Sequence, residues 1–350
     1  MRKIDIEDFE YVCSFDKISW EKLNGKTILV TGATGLIGKT LIKTLIYVSK
    51  KKKINISIVG IYRNEKKLES IYRSIDKKNV HFIRGDVLEF PEVKEDIDYI
   101  VHAANPTSSK YFVTYPVETI DTAINGTYNV LKFAKRKKVS SFVYLSSMEI
   151  YGTPLKGERI HENNAGQFDT QKIRNCYPLS KQLCENLCSS FANEYNLNVK
   201  NLRLTQTFGP GVEVDDGRVF AEFARCAIHK KDIVLKTKGK TERSYLYTID
   251  AVVGILLVLL KGEKGESYNI ANEKTYCSIY NMAKMVGDKY GIGVRIDVQD
   301  IAQMGYADTL HMDLDTSKIK KLGWKAEYDL LNMFTRMIDT MKENNEAENE

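Results

Sequence analysis

Thr31-Gly32-Ala33-Thr34-Gly35-Leu36-Ile37-Gly38 follows the apolar run Ile28-Leu29-Val30 and opens a segment rich in Leu, Ile and Lys. The spacing predicts a strand over 26–31, a tight turn, and a helix over 39–48. Glycine permits the turn, lets a backbone approach a pyrophosphate, and allows close helix–strand packing. The free N–H groups and positive dipole end of the following helix suit phosphate. A strand, a glycine turn and a helix in this order predict a dinucleotide site.

Working outward, strand patterns recur at 54–62, 80–83, 99–103, 141–145 and 199–204. Helical patterns lie between them, notably over 117–135 and 178–195. Strands alternating with helices predict an α/β fold: a Rossmann-type, doubly wound parallel sheet with a smaller C-terminal substrate-binding lobe. Residues 1–203 are expected to form the dinucleotide-binding domain, with 243–271 returning to it. Residues 204–242 and 272–350 are expected to form the substrate-binding lobe. The lysine runs 50–53 and 135–138 follow apolar helix faces and read as solvated helix ends.

The chain has 350 residues, 43% hydrophobic and 28% charged, the balance of a globular protein. Its net charge of +6 suits anionic small molecules but is too weak to argue for nucleic acid. The N-terminus MRKIDIEDFEYVCS carries acids where a signal peptide needs an apolar run, so a cytoplasmic protein is expected. The longest apolar stretch, 251–260, is too short to span a membrane. The cysteines Cys13, Cys176, Cys184, Cys188, Cys226 and Cys277 fit no metal-binding spacing and read as reduced thiols.

Tyr177-Pro178-Leu179-Ser180-Lys181 places a phenol and an ammonium at i and i+4, on one helix face. A neighbouring ammonium stabilises a phenolate, which predicts a lowered Tyr177 pKa and a general base for an alcohol proton. Ser147, at the end of the strand pattern FVYLSS, could hold the same oxygen.

These motifs together resemble the extended branch of the short-chain dehydrogenase/reductase superfamily. The segment Ser146-Ser147-Met148-Glu149-Ile150-Tyr151-Gly152 is similar to one in the nucleotide-sugar epimerases, dehydratases and decarboxylases, the NAD-dependent epimerase/dehydratase family. So is Arg203-Leu204-Thr205-Gln206-Thr207-Phe208-Gly209-Pro210-Gly211. Asp216-Gly217-Arg218-Val219 with Phe223 resembles the UDP-glucuronate decarboxylases in particular, and Arg243-Ser244-Tyr245 with Asp250 resembles the segment that closes over the nucleotide sugar. The likeness spans about residues 25–340. It implies Ser147, Glu149, Tyr177 and Lys181 as catalytic residues. It implies NAD held by Gly32, Thr34, Gly35, Leu36, Ile37, Gly38, Arg63, Asp86, Val87, Ala103 and Ala104, with Tyr177 and Lys181. The substrate side falls to Thr107, Met148, Gln206, Arg218, Arg243 and His311. The resemblance also implies a homodimer built on the helices 117–135 and 178–195, with Cys184 and Cys188 either near that interface or packed inside one subunit.

Several positions depart from the pattern. Arg63 ends the second strand region where an acid would grip the ribose of NAD, so NADP stays open beside it. Met148 stands where 4,6-dehydratases carry an aspartic acid, and a thioether donates no proton. Gln206 replaces an asparagine, and Ala123 falls where relatives place another. Oxidation of a sugar C4 hydroxyl followed by decarboxylation or epimerisation is the leading expectation. A 4,6-dehydratase, an NADPH-dependent reductase and a non-catalytic NAD(P)-binding regulator are the alternatives.

Overall fold

The computed structural model describes residues 2–299 and 309–349. Residues 300–308 of the expected second lobe lie outside the described residues. In chain order the strands are β1 (Lys26–Thr31), β2 (Ile56–Tyr62), β3 (Val80–Arg84), β4 (Tyr99–His102), β5 (Ser141–Ser147), β6 (Arg159–Ile160), β7 (Val199–Leu204), β8 (Gln206–Phe208), β9 (Ile233–Leu235), β10 (Glu242–Tyr247), β11 (Ser267–Ile270), β12 (Asn272–Ser278), β13 (Val294–Ile296) and β14 (His311–Leu314). The helices are α1 (Lys3–Ser14), α2 (Leu36–Lys52), α3 (Glu65–Tyr72), α4 (Ser109–Thr114), α5 (Pro116–Lys137), α6 (Cys176–Glu194), α7 (Val219–His229), α8 (Thr248–Lys261), α9 (Ile279–Tyr290), α10 (Ser317–Lys321) and α11 (Leu330–Asn349).

Seven parallel strands form the main sheet in the order β11-β7-β5-β4-β1-β2-β3. The order reverses between β1 and β4, and open α/β sheets bind ligands beyond the strand ends at such a switch point. The inner strands read as near-continuous apolar runs because both of their faces are covered. On one face α5 and α6 pack through Val130, Leu131, Phe133, Cys184, Cys188 and Phe191. On the other, α8 lies against β5 and β7 beside α2.

The apolar run at 251–260 is thus the middle of a helix buried on all sides. Helix α1 contributes to its cover through Phe9 and Val12, so the acid-bearing N-terminal segment is an amphipathic cover on α2 and α8. Among the described residues no helix is long and apolar enough to cross a membrane.

Boundaries differ from the expected ones where side chains capture backbone. Ile54 drops out of β2 because its N–H donates to the Ser49 carbonyl and its carbonyl accepts from Ser49 Oγ at 2.7 Å, closing the end of α2. Ala103 leaves β4 because its N–H donates to Thr31 Oγ1 at 3.1 Å. Strand β5 runs two residues further than expected, because Ser146 and Ser147 stay in register with Arg203 and Leu204 of β7. Both lysine runs end helices, α2 and α5, where the cations face the negative dipole end.

A second, mixed sheet orders β12-β10-β14-β6, with β8 paired to β10. Strands β9 and β13 form a separate parallel pair. Helices α7, α9 and α11 pack together beside these sheets.

Candidate active site

The glycine turn joins β1 to α2 at the switch point. Gly32 has φ +70°, and a Cβ there would lie 3.0 Å from the Ala104 nitrogen. A Cβ on Gly38 would lie 2.2 Å from the Gly32 carbonyl oxygen, so the first helical turn closes on the loop only without a side chain. Thr31 Oγ1 accepts from the N–H groups of Ala103 and Ala104 at 3.1 and 3.2 Å and contacts His102 Nδ1 at 2.7 Å. Burial pushes the His102 pKa down to about 3, so this ring is a neutral brace between Thr31 and Thr127.

No side chain caps the N-terminus of α2, which leaves its first N–H groups for an anion. Just past Ala104, both amide atoms of Asn105 are buried without a hydrogen-bond partner among the described residues. The uncapped helix, the glycine cradle and this orphaned amide fit a dinucleotide laid across the turn. Asp86 Oδ1 accepts from the Leu88 N–H, and Asn129 holds the carbonyls of Val87 and Leu88. Arg63 is exposed and reaches Asp86 at 3.4 Å.

Tyr177 and Lys181 stand on the first turns of α6, facing the end of β5. Ser147 stands at the end of β5, where its hydroxyl favours the Tyr177 phenolate. Lys181 is 3% exposed, donates to the Leu145 carbonyl at 2.7 Å, and sits 5.9 Å from the Tyr177 ring centre. Burial pushes Lys181 down to about 8. The Tyr177 pKa is raised, contrary to the expectation from the sequence. Burial is the main cause and the Glu149 charge adds to it; Ser147, Arg174 and Arg218 oppose them. The Lys181 ammonium is aimed at a carbonyl, and desolvation of the phenolate dominates the shift.

Glu149 lies on the 3-10 turn Met148–Tyr151 after β5, held by Arg174 at 2.8 Å. Met148 is packed beneath the site, its sulfur accepting from Thr205 Oγ1 at 3.2 Å. Gln206 Oε1 accepts from Arg243 at 3.3 Å, across the β8–β10 pairing. Arg218 forks onto Asp216 in the loop before α7. His311 pairs with Glu242 at 2.8 Å, on the strand that carries Arg243. Thr107 is exposed on the loop between β4 and α4. The four catalytic candidates therefore converge, Gln206 joins Arg243, and His311 lies one strand from Arg243. Cys184 and Cys188 face inward; Cys184 donates to the Ala123 carbonyl at 3.1 Å, so neither belongs to an outer face.

The family model described as "NAD dependent epimerase/dehydratase family" matches residues 28–271, from β1 through β11. The chain belongs to that family. It is an enzyme of the NAD-dependent epimerase and dehydratase type. UDP-glucuronic acid decarboxylase 6 of Arabidopsis thaliana is 30% identical over 305 residues, covering 87% of this chain and 85% of that protein. An epimerase structure from Methanothermobacter thermautotrophicus superposes with a TM-score of 0.80 at 22% identity, covering 97% of each chain. A dTDP-glucose 4,6-dehydratase from Streptomyces venezuelae, solved with NAD, gives 0.78 at 21% identity over 92% of this chain and 98% of that one. These structural likenesses carry the fold.

The structure also places beside these candidates residues that the sequence reading passed over. Phe112 of α4 stacks on Tyr177, with ring centres 4.2 Å apart and planes 11° apart. Arg174 precedes α6 and is buried. Lys39, on the first turn of α2, is also buried and pairs with Glu213 at 3.0 Å, tying the loop after β8 to the glycine-turn helix. A polar residue three places before Tyr177 was the only signal for Arg174. For Phe112 and Lys39 the sequence offered none, because their partners lie in distant segments.

Proposed function

We propose that the enzyme decarboxylates a nucleotide-linked uronic acid, with UDP-glucuronic acid the first substrate to test. The observation that carries the reading is the turn Ser147-Met148-Glu149. The Ser147 hydroxyl, which accepts from the Glu149 N–H, and the Glu149 carboxylate flank a buried thioether with no proton to give. Dehydration, which needs an acid at that turn, is thereby disfavoured. The Arabidopsis decarboxylase, named for UDP-glucuronic acid, supports the substrate class.

The glycine turn Gly32–Gly38 and the N-terminus of α2 would hold NAD, which would supply reversible hydride chemistry at the sugar C4 carbon. The chain does the proton and charge work. Tyr177 takes the C4 hydroxyl proton, with Ser147 holding the same oxygen. The C4 ketone then lies β to the C5 carboxylate. The C5–C6 bond breaks, its electrons pass into the C4 carbonyl as an enolate, and carbon dioxide leaves. C5 takes a proton, and Tyr177 returns its own when C4 becomes an alcohol again. Arg243 and Gln206 are suited to the carboxylate or the diphosphate, and Glu149 to the proton step at C5.

The dinucleotide lobe is proposed as 1–203 with 243–271, and the substrate lobe as 204–242 with 272–350, although β6 and β10 pair with strands of the second sheet. The exposed apolar side chains Val117, Ile120 and Leu183, on α5 and α6, support pairing of these helices in a cytoplasmic homodimer. Engagement of Arg63 with Asp86 supports NAD over NADP. Calorimetric titration tests that choice, and tighter binding of NADP would reverse it.

The test of the activity is incubation of NAD-loaded protein with UDP-glucuronic acid, UDP-glucose and dTDP-glucose. The expected outcome is carbon dioxide and a UDP-pentose from the first alone. A C4 epimer or a 4-keto-6-deoxy sugar would replace this reading.

A further inference from the structure

We propose that Arg174 is the positioning residue of this site: one buried guanidinium fixes the Glu149 carboxylate and, through the Phe112 ring, the plane of Tyr177. The proposal rests on the reading of Glu149 and Tyr177 as the acting groups.

Arg174 is 8% exposed, on the 3-10 turn Ile173–Asn175 that leads into α6. Its Nη2 donates to Glu149 Oε2 at 2.8 Å. Its guanidinium carbon lies 5.0 Å from the centre of the Phe112 ring. Phe112 is 1% exposed and stacks on Tyr177. The Cys176 thiol donates to the Phe112 carbonyl at 3.3 Å, which pins α4 to the start of α6. Four elements thus meet at one cation: the turn after β5, α4, the turn before α6, and α6 itself. An isolated cation this buried would be costly, and the carboxylate together with the ring face makes it tolerable. Arginine suits the place better than lysine, because a planar fork can bind a carboxylate and lie against a ring together.

The consequence is electrostatic as well as steric. The groups that bear on the Tyr177 phenol are Glu149 from the turn after β5, Arg174 from the turn before α6, Lys181 and Cys176 from α6, Arg218 from the loop before α7, and Tyr144 from β5. Arg174 favours the phenolate and Glu149 opposes it. Removing one or the other should therefore move Tyr177 in opposite directions.

The experiment compares Arg174→Met, Arg174→Lys, Phe112→Leu and Glu149→Gln in the NAD-loaded enzyme with UDP-glucuronic acid. Arg174→Met should lower kcat by about 10²-fold with KM little changed, since a misplaced acid and base slow chemistry rather than binding. Its rate should rise with pH at a higher pH than in the wild type, and that of Glu149→Gln at a lower pH. Arg174→Lys should restore the wild-type pH profile but only part of kcat. Phe112→Leu should lower kcat with the profile unmoved. Crystal structures of wild type and Arg174→Met form the second arm, in which the Tyr177 ring should leave its near-parallel stack. A wild-type kcat and profile in Arg174→Met, or shifts of the same sign in Arg174→Met and Glu149→Gln, would overturn the proposal. Wild-type protein inert toward UDP-glucuronic acid would sink the proposed activity alone. The crystal structures would still decide this inference, and an unmoved Tyr177 ring would end it.

Discussion

The two sides of the site are built from different material. On the cofactor side the contacts are backbone: three glycines, an uncapped helix N-terminus, and the N–H groups of Ala103 and Ala104 tied to Thr31. On the proposed substrate side they are paired side chains: Glu149 with Arg174, Arg218 with Asp216, Arg243 with Gln206, and His311 with Glu242. The backbone side has no slack, because a glycine cradle either closes or does not. The side-chain side is adjustable, because each pair can be exchanged for another while the fold stands. One fold can host several reactions when the side chains of its site change and its scaffold stays.

The sharpest way to break the comparison is Gly38→Val. The added side chain begins 2.2 Å from the Gly32 carbonyl, so the turn must open. Loss of NAD binding is expected in calorimetry, with a stability loss of about 1–3 kcal/mol by urea denaturation. Retention of NAD affinity would mean that the cradle is not the site.

Glu149→Gln probes the other side. The amide keeps an acceptor for Arg174 but removes the charge. Binding of NAD should be unchanged while turnover falls by about 10²-fold or more, with reduced cofactor accumulating on the protein. Lost NAD binding would show that the two sides are not separable.

The smallest effect is expected at Lys200, 1% exposed near the start of β7, at the opposite end of the sheet from the site. Its ammonium donates to Ser141 Oγ at 2.7 Å, and burial pushes its pKa down to about 8. The native state sheds this proton before the unfolded chain does. The wild type therefore gains stability as pH rises from about 8 towards the ordinary lysine value. Lys200→Met should be more stable than wild type at pH 7, on the order of 1–3 kcal/mol, with the gap closing as pH rises. Denaturation series across pH check this. Turnover should not change, and a change would tie the far end of the sheet to the site.

The same division explains what could be read from the residues. The glycine turn was legible because only glycine satisfies its geometry, and the parallel sheet because buried strands must be apolar on both faces. Tyr177, Lys181 and Ser147 were legible because one helix face and one strand end carry them. Arg174, Phe112 and Lys39 were not, because each is defined by a partner that only tertiary folding supplies. The direction of the Tyr177 shift was misread for a related reason. The i, i+4 spacing sets where Lys181 stands, but the Leu145 carbonyl sets where its ammonium points.

Rapid mixing of NAD-loaded protein with UDP-glucuronic acid, followed at the reduced-nicotinamide absorbance band, tests the central claim most directly. Tyr177→Phe removes one hydroxyl from a stacked ring and should keep fold and cofactor, yet slow the first rise in absorbance by about 10²–10⁴-fold. A Tyr177→Phe variant that reduces the cofactor as fast as wild type would contradict the account.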